Sequence, residues 1–143
     1  MTKIRGLTLQ ASEIYDPVFK QTVFFVLGGT PKQVRAWVGR KTGHSEPSPV
    51  PGDHTDGNML SYEPTDGGPE LLMVWIPHYF DYSAMVHEIG HLVMYIFARR
   101  RITFGFDNEE QFTYYSEFWA REFIKVMVKR EEKEQGKKVR RKY

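Results

Sequence analysis

The run Gln21 to Leu27, "QTVFFVL", is a compact apolar block that predicts a strand, followed by a glycine turn and a helix from Pro31 to about Arg40. The helix start is well signed. Thr30 can cap it, Pro31 suits the first helical position, and Gln33 stands where a capping box places its reciprocal acceptor. Val34, Trp37 and Val38 then share one face, so the helix is amphipathic and can pack on a sheet. From Thr42 to Gly57 the pattern gives way to "TGHSEPSPVPGDHTDG", where three prolines at alternate positions disfavour both helix and ladder pairing. This predicts a loop. His44, Asp53, His54 and Asp56 lie in it, but without a recognised ligand spacing, and loops are polar for ordinary reasons.

"NMLSYE" and "ELLMVWI" are short strand candidates separated by the turn-rich "PTDGG", which predicts an antiparallel pair. The second strand, Glu70 to Ile76, could pair at its edge with an extended peptide, or be a plain core strand. Pro77 ends it, and Asp81 or Ser83 caps a helix running from about Tyr82 to Arg100. Between Tyr82 and Ala98 that helix carries only His87, Glu88 and His91 as acidic or basic side chains, so it is expected to be central and buried. Arg99, Arg100 and Arg101 mark its exposed end, where positive charge suits the helix dipole. A second long helix begins at "DNEEQF". Phe112, Tyr115, Trp119, Phe123 and Val126 form its apolar stripe, while Glu110, Tyr114, Glu117 and Arg121 share a polar face. Together these elements predict an α+β fold: a small, mostly antiparallel sheet, one short helix and two long ones.

The segment "MVHEIGHLVMYI" carries the most specific chemistry. His87 and His91, four apart on a helix, project side by side and can approach a single tetrahedral ion, with Glu88 beside them. This is the HExxH arrangement, in which two histidines hold zinc and the glutamate takes a proton from the attacking water. The competing reading has two core histidines bonded to backbone and a glutamate at a polar edge, each needing its own buried partner. A catalytic zinc site needs a third protein ligand and one open position. No third histidine follows at metzincin spacing, and the nearest downstream carboxylates are Asp107, Glu109, Glu110 and Glu117. Glu110 is preferred because it faces away from Phe112 and Trp119; reciprocal helix capping is its alternative role, and Glu109 and Glu117 are the fallback ligands. Tyr114, one turn on, could orient a ligating histidine or donate to a developing oxyanion. Tyr115, His78 and Arg121 are weaker candidates for that role, and packing suits Tyr115 better.

"HEIGH" followed by "DNEEQFTYY" resembles the small zincin-like metallopeptidases of bacteriophages, in which a histidine-glutamate helix precedes an N-acidic-E-P-x-x-Y-like segment. Asn108, Glu109, Glu110 and Tyr114 match that segment, and Gln111 stands where proline is commoner. The pattern is more distantly similar to ImmA/IrrE-type peptidases, although their Leu-Leu-Met-Pro sequence is missing. The resemblance covers about residues 70 to 120 and implies a gluzincin-type zinc peptidase acting on a protein or peptide, with Glu110 as third ligand, in the host cytoplasm if the chain is phage-encoded.

Composition adds limits. At 143 residues and 41% hydrophobic content the chain can bury one sizeable core, so a single domain over residues 1–135 is expected. The absence of cysteine excludes thiolate ligands and disulfides, leaving His, Asp and Glu for any metal. No apolar run approaches a membrane span and the start lacks a secretion signal's apolar block, so a cytoplasmic protein is expected. The net charge of +2 hides a basic end, because Lys129 to Tyr143 carries eight Lys or Arg against three Glu. Residues 136–143 are read as a solvated, frayed basic tail, with contact to nucleic acid as its alternative. A zinc-bearing binding or regulatory module without hydrolytic activity is the main rival to the peptidase.

Overall fold

The computed structural model describes residues 8–43, 57–62, 70–103 and 105–142, with side chains as far as 137. It has the expected α+β fold, and the chain divides into two compact units between His78 and Tyr79. Most of the proline-rich loop, with His44, Asp53, His54 and Asp56, and the "PTDGG" connection lie outside the described residues.

The first unit is a four-stranded sheet of β1 (Gln10–Asp16), β2 (Gln21–Leu27), β3 (Asn58–Tyr62) and β4 (Leu71–Ile76), with one helix, α1 (Pro31–Thr42). Its order is β1-β2-β4-β3. The β1–β2 and β3–β4 pairs are antiparallel and β2–β4 is parallel, through Phe24↔Met73 to Leu27↔Ile76. β1 was not foreseen from the sequence. Its inward positions are poorly marked, since Ile14 is the one large apolar residue buried there and Asp16 follows it inward. The buried Asp16 carboxylate accepts from Val18 N at 2.8 Å and Phe19 N at 3.2 Å, building the turn into β2.

α1 begins as its sequence signs require. Gln33 N donates to Thr30 Oγ1 at 3.2 Å and Thr30 N donates to Gln33 Oε1 at 2.9 Å, a complete capping box. The turn before it needs glycine. Gly29 has φ +82°, and a Cβ there would lie 3.1 Å from Leu9 Cβ. Val34, Trp37 and Val38 of α1 pack with Val26, Leu60, Leu71, Met73 and Trp75 as one core. Trp75 Nε1 donates to Gly28 O at 2.8 Å and Gly28 N to Ile76 O at 3.0 Å, tying the ends of β2 and β4 together.

β4 is buried at every position and hydrogen-bonded on both sides. The edge pairing considered for residues 70 to 76 is therefore excluded, because both edges of this strand already hold β2 and β3. It is a core strand.

The second unit is a helical pair, α2 (Tyr82–Arg99) and α3 (Glu109–Lys142), with a single 3-10 turn at Phe106–Asn108 before α3. Asp81 caps α2, accepting from Ala84 N at 3.0 Å. Ile102 N donates to Phe97 O at 2.8 Å across Arg101, whose φ of 57° is the left-handed stop that usually selects glycine. Phe97 joins the helices, edge-on to Phe112 and stacked on Tyr115 with centroids 5.7 Å apart. The ring row continues along α3 through Phe118, Trp119 and Phe123. The backbone of residues 136–142 continues α3, so the frayed end expected there is instead helical to Lys142. Among the described residues no helix is long and apolar enough to cross a membrane.

Candidate metal centre

The spacing of four places His87 and His91 on one face of α2, and their rings meet. The two Nε2 atoms are 3.2 Å apart, and the ring planes cross at 75° with centroids 4.8 Å apart. Two nitrogens bound at 2.0–2.1 Å to a tetrahedral ion would be separated by about 3.3 Å. The pair thus fits one edge of such a site. The same separation suits an N–H···N bond between two neutral rings, one as donor and one as acceptor.

The apolar run around His87, Glu88 and His91 predicts that all three are buried, and only Glu88 is. Glu88 is buried, at 8% exposure, but His87 and His91 are exposed. Met85, Ile89, Leu92, Val93, Ile96 and Phe97 hold the buried side, so α2 has a distinct exposed face that the near-continuous apolar sequence concealed. Val86 is 60% exposed and Met94 54% exposed on that face. Both are large apolar side chains, and counting them as core made the helix look buried all round. Glu88 lies one residue, or about 100° of helix, from His87. No described residue hydrogen-bonds its carboxylate, whose oxygens are not fully enclosed and so keep water as a partner.

Glu110 and Glu109 are exposed in the first turn of α3, and Tyr114 is 67% exposed. The polar face read from the sequence is present, since Glu110, Tyr114, Glu117 and Arg121 are all exposed. It does not converge on the histidine pair. Among the described residues no group of three or more His, Asp or Glu is arranged to hold a metal ion. Glu117 is engaged elsewhere, accepting from Arg121 Nη2 at 2.6 Å. Arg121 is correspondingly committed. Tyr115 is buried between Phe97, Phe118 and Trp119, which gives it the packing role that suited it better. His78 closes the first unit and Glu109 lines an open depression of about 360 Å³ with Gly105, Phe106 and Phe112.

Asn108 has a role that chemistry-directed reading missed. Its Oδ1 accepts from Gly105 N at 2.8 Å and its Nδ2 donates to Thr103 O, so one side chain fastens the approach to α3. An asparagine just before a long helix is itself a start signal, and that was the available clue. Gly90 also stands out. It lies mid-helix within one turn of both histidines, where glycine costs roughly 0.5–1 kcal/mol relative to alanine. Beyond its chain neighbours and the backbone of its own helix, no described atom lies within 4 Å of the Cβ it lacks.

No protein family, curated protein or solved structure matches this chain.

Proposed function

We propose that the protein is a zinc-dependent peptidase, with His87 and His91 as imidazole ligands, Glu88 as general base and Glu110 as the third ligand. The observation that carries this reading is the facing pair of Nε2 atoms 3.2 Å apart, one residue from the largely buried Glu88. A bound zinc ion would acidify a water molecule and polarise a peptide carbonyl. The chain's own residues supply the rest. Glu88 takes the proton of the attacking water on a carboxylate oxygen and returns it to the leaving amine. Tyr114, exposed one turn beyond Glu110, is assigned as the donor to the carbonyl oxygen and would have to come to the histidine pair together with Glu110. Glu110 is assigned from its place on the exposed face at the start of α3; in this structure it does not join the histidine pair.

A second reading is favoured by the non-converging carboxylates: a two-histidine zinc-binding or regulatory module without hydrolysis. The two part on one substitution. In the peptidase, Glu88→Gln keeps zinc and abolishes cleavage of casein; in the binding module it leaves function unchanged. Metal analysis of purified protein is expected to give about one zinc per chain, sharply reduced in His87→Ala and lowered in Glu110→Gln. Full zinc content in both variants would refute the ligand assignment.

A further inference from the structure

We infer that the depression at the start of α3 is a docking site for an arginine side chain of a peptide or protein partner, with Glu109 as the ion-pairing group and Phe106 and Phe112 as its aromatic walls. The inference is independent of the zinc reading, because it uses neither the histidine pair nor hydrolysis.

Phe106, Glu109 and Phe112 follow one another at intervals of three through the 3-10 turn and the first turn of α3, a spacing that sets side chains along one side of the chain. With Gly105 they border an open depression of about 360 Å³. Phe112 is backed by Phe97, edge-on with centroids 6.1 Å apart. Phe106 is 97% exposed, yet the turn that presents it is fastened. Asn108 N donates to Gly105 O at 3.3 Å, and Asn108 Oδ1 accepts from Gly105 N at 2.8 Å. A large ring kept in water on a bonded turn offers contact that a guest regains, and a turn already ordered loses little freedom when the guest arrives.

Charge selects the occupant. No described residue pairs with the Glu109 carboxylate, which is exposed beside the rings. Asp107 and Glu110 flank it in sequence, and no lysine, arginine or histidine occurs from Ile102 to Ala120. An anion is therefore repelled, even though a helix N-terminus alone would attract one. An aliphatic guest would cover the rings but strip water from the carboxylate without replacing it. A guanidinium satisfies both, since its plane lies over an aromatic face while its edge donates two N–H groups to a carboxylate. Lysine has the charge without the plane, so arginine fits better.

The test uses fluorescein-labelled heptapeptides with a central arginine, citrulline or norleucine in an alanine-glycine frame. Citrulline keeps the length and the plane and lacks the charge. Anisotropy is measured on the full chain in EDTA, and again with zinc on the full chain bearing Glu88→Gln, which prevents turnover. In both, the arginine peptide is expected to bind at least about ten-fold more tightly than the other two. Its advantage over citrulline is expected to shrink as salt is raised and to vanish in Glu109→Gln, while Phe106→Ser weakens arginine binding about three-fold. Both altered residues are exposed, so neither change removes a core contact. Equal binding of arginine and citrulline peptides, tightest binding by norleucine, or an arginine preference that survives Glu109→Gln overturns the inference. So does a preference seen with zinc and lost in EDTA, which would assign Glu109 to the metal. A dimer in sedimentation that Phe106→Ser splits also overturns it, since a second copy would then fill the depression. Zinc content and casein cleavage by the unaltered chain judge the peptidase reading separately, and can fail where this succeeds.

Discussion

Two buried tryptophans show how much a single indole nitrogen decides. Trp75 Nε1 donates to Gly28 O at 2.8 Å, whereas Trp119 Nε1 is buried with no hydrogen-bond partner in the described structure. Trp75→Phe is expected to leave a carbonyl unpaired and cost about 1–3 kcal/mol beyond the packing loss, while Trp119→Phe loses packing alone. Urea unfolding of both variants checks this; equal costs would contradict it. The residue scale is also where the sequence misled. His87 and His91 were expected inside because Val86 and Met94 were counted as core, yet hydrophobic side chains do occupy surfaces. The pairing of the two imidazoles was legible from spacing alone. The separate environment of Glu88 was not, because a side chain one position along a helix points about 100° away and only tertiary packing decides what it meets.

Helix ends and strand edges divide differently. The start of α1 was fully legible, since Thr30, Pro31 and Gln33 act through bonds local in sequence. Thr30→Ala is expected to lower stability by about 1 kcal/mol, measured by chemical denaturation. At the far end of α2, Arg101 holds φ 57°, a conformation that costs an L-residue about 1 kcal/mol. Arg101→Gly should therefore stabilise the protein by about that amount, and a loss of stability would mean that the arginine side chain has contacts worth more. β1 escaped notice because it buries one large apolar residue, and β4's two-sided pairing could not be read from its own residues. An all-apolar hexamer is compatible with a buried centre or a sticky edge, and only the partner strands distinguish them.

For the whole chain, zinc is the variable that tests most. If the histidine pair binds zinc only when folded, zinc at 100 times its dissociation constant adds about 2.7 kcal/mol of apparent stability. The thermal midpoint should rise with zinc, fall with chelator, and respond to neither in His91→Ala. The basic end gives an independent check. α3 carries its backbone as a helix to Lys142, which places the positive charge at a helix C-terminus, where it offsets the dipole. Removing residues 136–143 is expected to leave casein cleavage unchanged, and any DNA retention that disappears with the deletion and weakens with salt would assign the segment to nucleic acid.

The parallel seam between β2 and β4 has a kinetic corollary. Phe24 cannot meet Met73 until about fifty intervening residues have been gathered, so this pairing carries most of the sheet's chain-closure entropy. Refolding of the first unit should wait on that meeting, and mutations that weaken the seam should slow folding more than they hasten unfolding. Lengthening the connection between α1 and β3 should cost little at equilibrium, because closure entropy grows only with the logarithm of loop length.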